Sequence, residues 1–425
     1  METMRSVSKP AVNLGRRLGA AALALLLALS VPACTEKAAS PAAETASSAG
    51  VQHLTQKQML EDYDTMWKDI DENYSLMGVA ERTTGKDFSK VRAQYRSEVA
   101  QDKTNEEFLK TLIKCTDEFE QCGHMLVFGK EEYEDCFSLY KNVLNPKGSY
   151  LYKTLNNPPS KKFYHYNPQE DADIHQKFEE AVSANSGKSG NVTSKILEEG
   201  KTAYLQIHSF SDSFIDIDAP QIARFFQKIQ NYKYCILDIR GNGGGNTVYW
   251  CDNLVSSNLR KSCSYNTYQL VRGNKAKEYL KTAGYTLSPI SEFPKLPNTN
   301  PDDLAQMQYF IRNTQSCQPQ GKPVFKGKFY LLTDGRVYSS AEAFAIFCKD
   351  TGFATLVGEA TGGDGVGCDP MIFALPNSGV CFRFSAALGL NPDGGSNEEF
   401  GTAPDIPCKA DDALRVCLKT IESQK

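Results

Sequence analysis

The run Tyr234-Cys235-Ile236-Leu237-Asp238-Ile239 leads straight into Arg240-Gly241-Asn242-Gly243-Gly244-Gly245, and this junction restricts the fold more than any other feature. A short, near-continuous apolar run is a strand buried on both faces, and such strands belong to parallel sheets covered by helices. The glycines stop the strand and let backbone N–H groups face an anion or oxyanion. No Gly-Lys-Ser/Thr follows, which excludes a Walker phosphate loop, and the dinucleotide GxGxxG spacing is not met. Around this junction lie a strand at Ala203–Ile207 and a helix opened by Pro220 with Ile222, Phe225, Phe226 and Ile229. Further on come a strand at Phe329–Thr333, a helix near Ala341–Phe347 and a strand at Ala354–Gly358. Strand–helix–strand order predicts an α/β core.

A helical region precedes that core. Thr55 with Gln58, and Thr104 with Glu107, have capping-box spacing. Met59, Tyr63, Met66, Trp67, Ile70 and Tyr74 share one helical face, as do Phe108, Leu109, Leu112, Ile113 and Phe119. The expected organisation is a leader over 1–33, a flexible tether over 34–50 and a helical domain over 51–128. A polar connection over 129–197 then leads to a catalytic-type domain over 198–425. Residues 264–323, rich in Pro, Asn and Tyr (Tyr265, Tyr268, Tyr279, Tyr309), read as an insertion or lid, with a surface excursion as the alternative.

The leader has Arg5, Lys9, Arg16 and Arg17 before the apolar run Leu18–Val31, then Val31-Pro32-Ala33-Cys34. That core is too short to span a membrane and reads as an export signal. Its end resembles the lipobox of bacterial lipoproteins, which makes Cys34 the lipidation site and the membrane a partner through that anchor. Cys34 accounts for the odd member of 13 cysteines. The remaining twelve, in an exported chain, suggest disulfides, the local candidates being Cys115–Cys122, Cys251–Cys263, Cys368–Cys381 and Cys408–Cys417. Cys235 and Cys348 read as buried thiols, and the absence of a CxxC pair weakens a zinc reading. A formal charge of −4 argues against nucleic acid as a partner, and 23% charged with 10% aromatic residues excludes a mainly disordered chain.

Chemistry concentrates at a second junction, Asp334-Gly335-Arg336-Val337-Tyr338-Ser339-Ser340-Ala341-Glu342, where a strand turns into a helix. A serine there is either a helix N-cap or a nucleophile with oxyanion donors supplied by the helix terminus. Four segments taken together resemble the C-terminal processing, or tail-specific, serine peptidases, including their tricorn-core and retinoid-binding-protein-like branches. They are Leu237–Gly245, Ser339–Glu342, Gly358–Gly363 and Ala403-Pro404-Asp405-Ile406, and the likeness covers about residues 198–408.

That resemblance implies a ClpP/crotonase-like β-β-α core preceded by a small helical bundle, and no organic cofactor or metal. It makes Ser339 the nucleophile, with Ser340 and Gly243 or Gly244 as oxyanion donors. The branch that uses lysine carries Gly-Lys-Gly where this chain has Gly363-Asp364-Gly365, and no lysine lies between Lys349 and Lys409. The tricorn-like branch implies a histidine base instead, here His124, oriented by Glu398 with Glu399 as the alternative. His208 is the reserve base; His53, His165 and His175 read as surface residues. The family's serine before the histidine is Gly123 here, and the aspartate two positions before it is Cys122. No PDZ-like carboxylate loop is found between residues 128 and 200. The implied function is a membrane-anchored, extracytoplasmic serine peptidase acting on peptide or protein substrates. The alternative is a catalytically inactive lipoprotein of the same fold that binds peptides or a hydrophobic ligand.

Overall fold

A computed structural model describes residues 53–141, 146–167 and 190–424. The leader, Cys34, the tether over 34–50 and His175 lie outside the described residues. Strands β1 (Leu126–Val127), β2 (Val192–Glu198), β3 (Thr202–Ile207), β4 (Tyr234–Asp238), β5 (Cys263–Val271), β6 (Ser288–Pro289) and β7 (Tyr309–Cys317) come first along the chain. They are followed by β8 (Lys328–Thr333), β9 (Ala354–Gly358), β10 (Met371–Ala374), β11 (Cys381–Phe384), β12 (Leu388–Leu390) and β13 (Ile406–Pro407).

The central sheet has the order β13-β9-β8-β4-β3-β2 and is parallel except for the β2–β3 pair. Its register explains the apolar run at β4. Cys235 and Leu237 pack beneath helices Asp212–Lys228 and Ser340–Thr351, whereas Ile236 faces helix Ala413–Ser423 with Tyr330, Leu332 and Val357. Alternate residues enter opposite cores, so both faces demand apolar side chains. The helix expected to open at Pro220 in fact begins at Asp212 and carries Pro220 inside. It gives up only the backbone donor that proline lacks, while Ile222, Phe225 and Phe226 keep the buried face.

Both capping boxes form, at the starts of helices Gln56–Asn73 and Asn105–Asp117. Residues 129–197 are less of a polar connection than the sequence suggests. Helices Lys130–Lys141, Pro146–Leu155 and Pro158–Phe163 lie there, and Tyr133, Phe137, Leu151 and Tyr164 are buried. These helices and the N-terminal ones share one hydrophobic core with residues from β5, β7 and β10–β12. The sheet β1-β11-β10 ties the first half of the chain to the last quarter. The 264–323 segment is likewise built in: β5, β6, β7 and β12 form a sheet in which Tyr265 and Tyr268 are core residues.

No disulfide occurs among the described residues, and all twelve cysteines there are free thiols, so the four local pairings are not formed. Cys251 Sγ instead lies 2.8 Å from Cys317 Sγ, while Cys263 faces the Lys261 carbonyl. Cys235 and Cys348 are buried thiols, as expected. Among the described residues no helix is long and apolar enough to cross a membrane.

Candidate active site

Ser339 stands at the turn between β8 and helix Ser340–Thr351 with φ 55° and ψ −122°, a left-handed conformation that costs a non-glycine residue about 1–3 kcal/mol. It occupies the N-cap position, yet its side chain makes no capping hydrogen bond. Capping therefore does not account for this serine. The elbow is clamped from both sides: the Ser339 N–H donates to the Gly363 carbonyl (3.0 Å) and the Tyr338 N–H to that of Asn242 (3.2 Å). Gly244 presses on it so closely that a Cβ there would lie 2.7 Å from the Tyr338 carbonyl and 2.9 Å from the Ser339 Cβ.

This packing refines the oxyanion expectation. Ser340 is the first residue of its helix, where the backbone N–H has no intrahelical acceptor and the helix dipole favours negative charge. The Gly244 N–H, in contrast, already donates to Asn242 Oδ1 at 2.9 Å. An Asx turn within the glycine loop has claimed it. Gly243 is exposed, and Gly245 lines the same cleft as Ser339 and Ser340. Among the described residues no hydrogen bond claims the amide of Gly243 or Gly245, and of the two Gly245 lines the cleft.

His124 arrives from a tight turn in which Glu120, Gln121, Gly123 and His124 all have positive φ. Three contacts hold that turn. Tyr74 Oη donates to the Cys122 carbonyl (2.8 Å), the Ser385 N–H donates to the Gly123 carbonyl (2.7 Å), and the Gly123 N–H donates to Glu398 Oε1 (2.8 Å). A Cβ on Gly123 would come within 3.1–3.3 Å of Leu76 and Tyr74, so the family's serine would not fit without movement.

The carboxylate on the His124 ring is Asp364, with Oδ2 2.6 Å from Nε2. This corrects the expectation for Glu398, which grips the backbone before the histidine and also faces the Tyr338 hydroxyl at 3.5 Å. Glu399, the alternative, is paired with Arg82 at 2.8 Å. Asp364 also adopts a positive φ of 57°, so Ser339, His124 and Asp364 all sit in sparsely populated backbone conformations. Such outliers cluster where function over-determines geometry.

Burial pulls the His124 pKa down, but the charge and hydrogen bond of Asp364, helped by Glu398, outweigh it and raise it above the ordinary imidazole value. Burial and the Asp364 charge push Glu398 up to about 7, against the opposing pull of the Gly123 N–H and His124. Behind them, buried Glu342, three residues after Ser339, accepts from Asn397 Nδ2 (2.7 Å) and Thr402 Oγ1 (2.6 Å) through Oε1. Asn397 Oδ1 in turn accepts the Gly365 N–H at 2.6 Å. The nucleophile helix is thereby wired to the turn that carries Asp364 and to the segment that carries Glu398.

Ser339, Ser340, His124 and Asp364 line one cleft of about 230 Å³, together with Gly245, Tyr140, Tyr279, Tyr285 and Arg383. Among the described residues no hydrogen bond yet joins Ser339 Oγ to His124; such contacts commonly tighten only when substrate binds. His208 is exposed and does not line the cleft, so the geometry favours His124 over the reserve base. Of the two tyrosine-rich readings of 264–323, the cleft-lining one holds for Tyr279. Among the described residues, no cluster of three or more His, Cys, Asp or Glu side chains could hold a metal ion. Sequence reasoning missed the role of Asp364, although a carboxylate in the vacated lysine position was its visible signal. It missed Arg383 altogether, since nothing in one strand marks which cleft it enters.

Residues 201–408 match a family model described as peptidase family S41. All the motifs at 237–245, 339–342, 358–363 and 403–406 fall inside that span. No curated protein is detectably similar in sequence. Among solved structures, a candidate peptidase from Parabacteroides merdae is 18% identical with a TM-score of 0.54, over 86% of this chain and 96% of that one. Mature CPAF in complex with lactacystin is 13% identical with a TM-score of 0.51, over 87% and 97% respectively. At such identities the likeness is one of fold.

Proposed function

Residues 201–408 belong to peptidase family S41, and on that premise we propose that the cleft hydrolyses peptide bonds with Ser339 as nucleophile and His124 as its base. The observation that carries this reading is the strained, uncapped Ser339 sharing one cleft with a histidine already bound to a carboxylate. With Asp364 on Nε2, the other ring nitrogen is left to accept the Ser339 proton. Ser339 Oγ adds to the scissile carbonyl, and the resulting oxyanion is met by the amides of Ser340 and the glycine loop. Imidazolium then protonates the leaving amine, and water hydrolyses the acyl-enzyme with the same base. Asp364 holds the ring and stabilises its cation, while Glu398 positions the turn.

The non-catalytic alternative drew its support from Asp364 and Gly123. It loses that support, because Asp364 partners the base and Gly123 meets a packing demand. A fluorophosphonate probe tests the reading. Labelling and peptide hydrolysis are expected in the intact protein and are expected to vanish in Ser339→Ala; labelling that survives that change rejects the nucleophile.

We further propose an extracytoplasmic, lipid-tethered location, supported by the export signal at 1–33 and by Cys34. Metabolic labelling with a fatty acid, lost in Cys34→Ser, is the expected result. In an oxidising compartment, Cys251 and Cys317 are the pair we expect to join. Their two thiols would lose two hydrogens to the disulfide of an exchange catalyst, itself reduced to a dithiol.

A further inference from the structure

We propose that Arg383 is the carboxylate receptor of the cleft, so that the preferred substrates are peptides presenting a carboxylate beside the scissile bond. The proposal rests on the reading of this cleft as a peptidase site and names the substrate class it selects. Arg383 lies in the middle of β11, opposite Leu126 of β1, two residues after His124. Its strand neighbours Phe382 and Phe384 are buried in the core, and alternation turns the arginine to the other face, where it lines the cleft with Ser339 and His124. The same ladder therefore carries the base and the guanidinium into one cavity.

The environment is poorly matched to a cation left alone. Nε is buried and without a hydrogen-bond partner, and the guanidinium carbon stands 5.8 Å from the Phe128 ring centroid. No side-chain hydrogen bond to it occurs among the described residues, and the buried Cys136 thiol feels its charge. No carboxylate of a described residue forms an ion pair with it. Other arginines are served differently: Arg82 is clamped by Asp303 and Glu399, Arg240 by Asp238 and Arg92 by Asp71, while half-buried Arg272 donates to Gln306 Oε1 and to the Asp71 carbonyl. An arginine in a half-closed, tyrosine-lined cleft, with a buried donor to spare, is built for an anion that comes and goes. A carboxylate fits the fork of a guanidinium through paired charge-assisted hydrogen bonds. The cleft walls (Tyr140, Tyr279, Tyr285 and Pro370) would bury the adjoining apolar stem.

Two sources supply that chemistry, an Asp or Glu side chain near the scissile bond or the C-terminal carboxylate of a peptide. They are separated by binding rather than turnover. Ser339→Ala protein is titrated by fluorescence anisotropy with labelled peptide pairs, one pair differing as Glu against Gln and the other as free acid against amide at the C-terminus. At least one acid member is expected to bind roughly tenfold or more tightly than its neutral twin, as charge-assisted hydrogen bonding implies. The pair that shows the difference identifies the source. Adding Arg383→Gln should abolish the difference, and Arg383→Lys should restore part of it, with thermal melting confirming that each variant is folded. Equal binding of acid and neutral twins, no binding of either, or a preference that persists in Arg383→Gln overturns the proposal. Hydrolysis is not needed for any of these readings. Failure of the peptidase reading itself would show separately, as absent Ser339-dependent labelling of the intact protein.

Discussion

The two halves of the candidate site are held in different ways. Ser339 and the glycine loop stand at the ends of neighbouring parallel strands, β8 and β4, whose side chains fill cores on both faces of the sheet. His124 stands on a turn outside that sheet, held by side chains and amides from Tyr74, Ser385 and Glu398. The nucleophile is fixed by backbone packing, down to the Gly244 contact. The base is fixed by a few polar contacts that bring together segments about 50 to 275 residues apart. Rigid packing suits an elbow that must hold strain, whereas a polar suspension leaves the base able to adjust as substrate arrives.

The largest effect should fall equally on both halves. His124→Ala should reduce hydrolysis by roughly 10⁴-fold or more, comparable to Ser339→Ala, because members of such a unit are not additive. His208→Ala should leave the rate near that of the intact protein. If His208→Ala abolished activity and His124→Ala did not, the assignment of the base half would break.

Next in size is Asp364→Asn, which should cost about 10²- to 10⁴-fold by analogy with loss of a histidine's orienting carboxylate. The pH profile gives the sharper test. Asp364 is the main agent raising the His124 pKa against burial, and the base works only when deprotonated. Without Asp364 burial prevails, the imidazole pKa falls, and the acidic limb of the rate profile moves to lower pH. In Glu398→Gln a smaller shift in the same direction is expected, since Glu398 contributes less to that rise. A limb that stayed in place in Asp364→Asn would mean that His124 is not the titrating base.

How much of this was legible follows the same division. The glycine loop, the Ser-Ser-Ala-Glu turn and the β4 run are local patterns, written in consecutive residues, and the α/β core could be read from them, whereas the turn alone left Ser339 open between helix cap and nucleophile until the resemblance was drawn. The base could be named only through the resemblance. Its carboxylate was misassigned because Asp364 and Glu398 flank the same loop and differ only in whether they reach the ring or the backbone. Strand alternation marks Arg383 as pointing away from Phe382 and Phe384, but not what it points into. The engaged Gly244 amide was equally hidden, since an Asn242 Asx turn is a matter of rotamer rather than sequence.

The contrast also predicts a stability difference within one loop. Gly244→Ala would place a Cβ against Tyr338 and Ser340 at a φ of 106°. It should cost about 2–4 kcal/mol, with the elbow displaced and probe labelling lost. A Cβ on Gly243 meets nothing within 4 Å. Gly243→Ala should therefore change stability by about 0.5 kcal/mol or less in denaturant unfolding. Similar costs for the two would mean that the loop is not packed on the nucleophile as described.

The smallest effect on the rate concerns the thiols behind the glycine loop. Cys251 follows directly on helix Thr247–Trp250, which begins just beyond Gly245, and Cys317 ends β7 in the sheet that contributes Tyr268 and Phe310 to the other core. Joining them would tether the nucleophile half of the site to the sheet that borders the base half. Closing a loop of that span stabilises a chain by about 2–4 kcal/mol when the native geometry accepts the bond, which is several degrees in melting temperature. Protein folded under oxidising conditions should give a Cys251–Cys317 cross-linked peptide on non-reducing mass mapping. It should also melt several degrees higher than its reduced form, and Cys317→Ser should remove both differences. A Cys251–Cys263 cross-link in its place would restore the local pairing read from the sequence and deny the tether. Because both cysteines lie away from the cleft wall, oxidation should shift melting more than it shifts the rate. A rate that fell in step with stability on reduction would show that the nucleophile half is less self-supporting than its sheet packing implies.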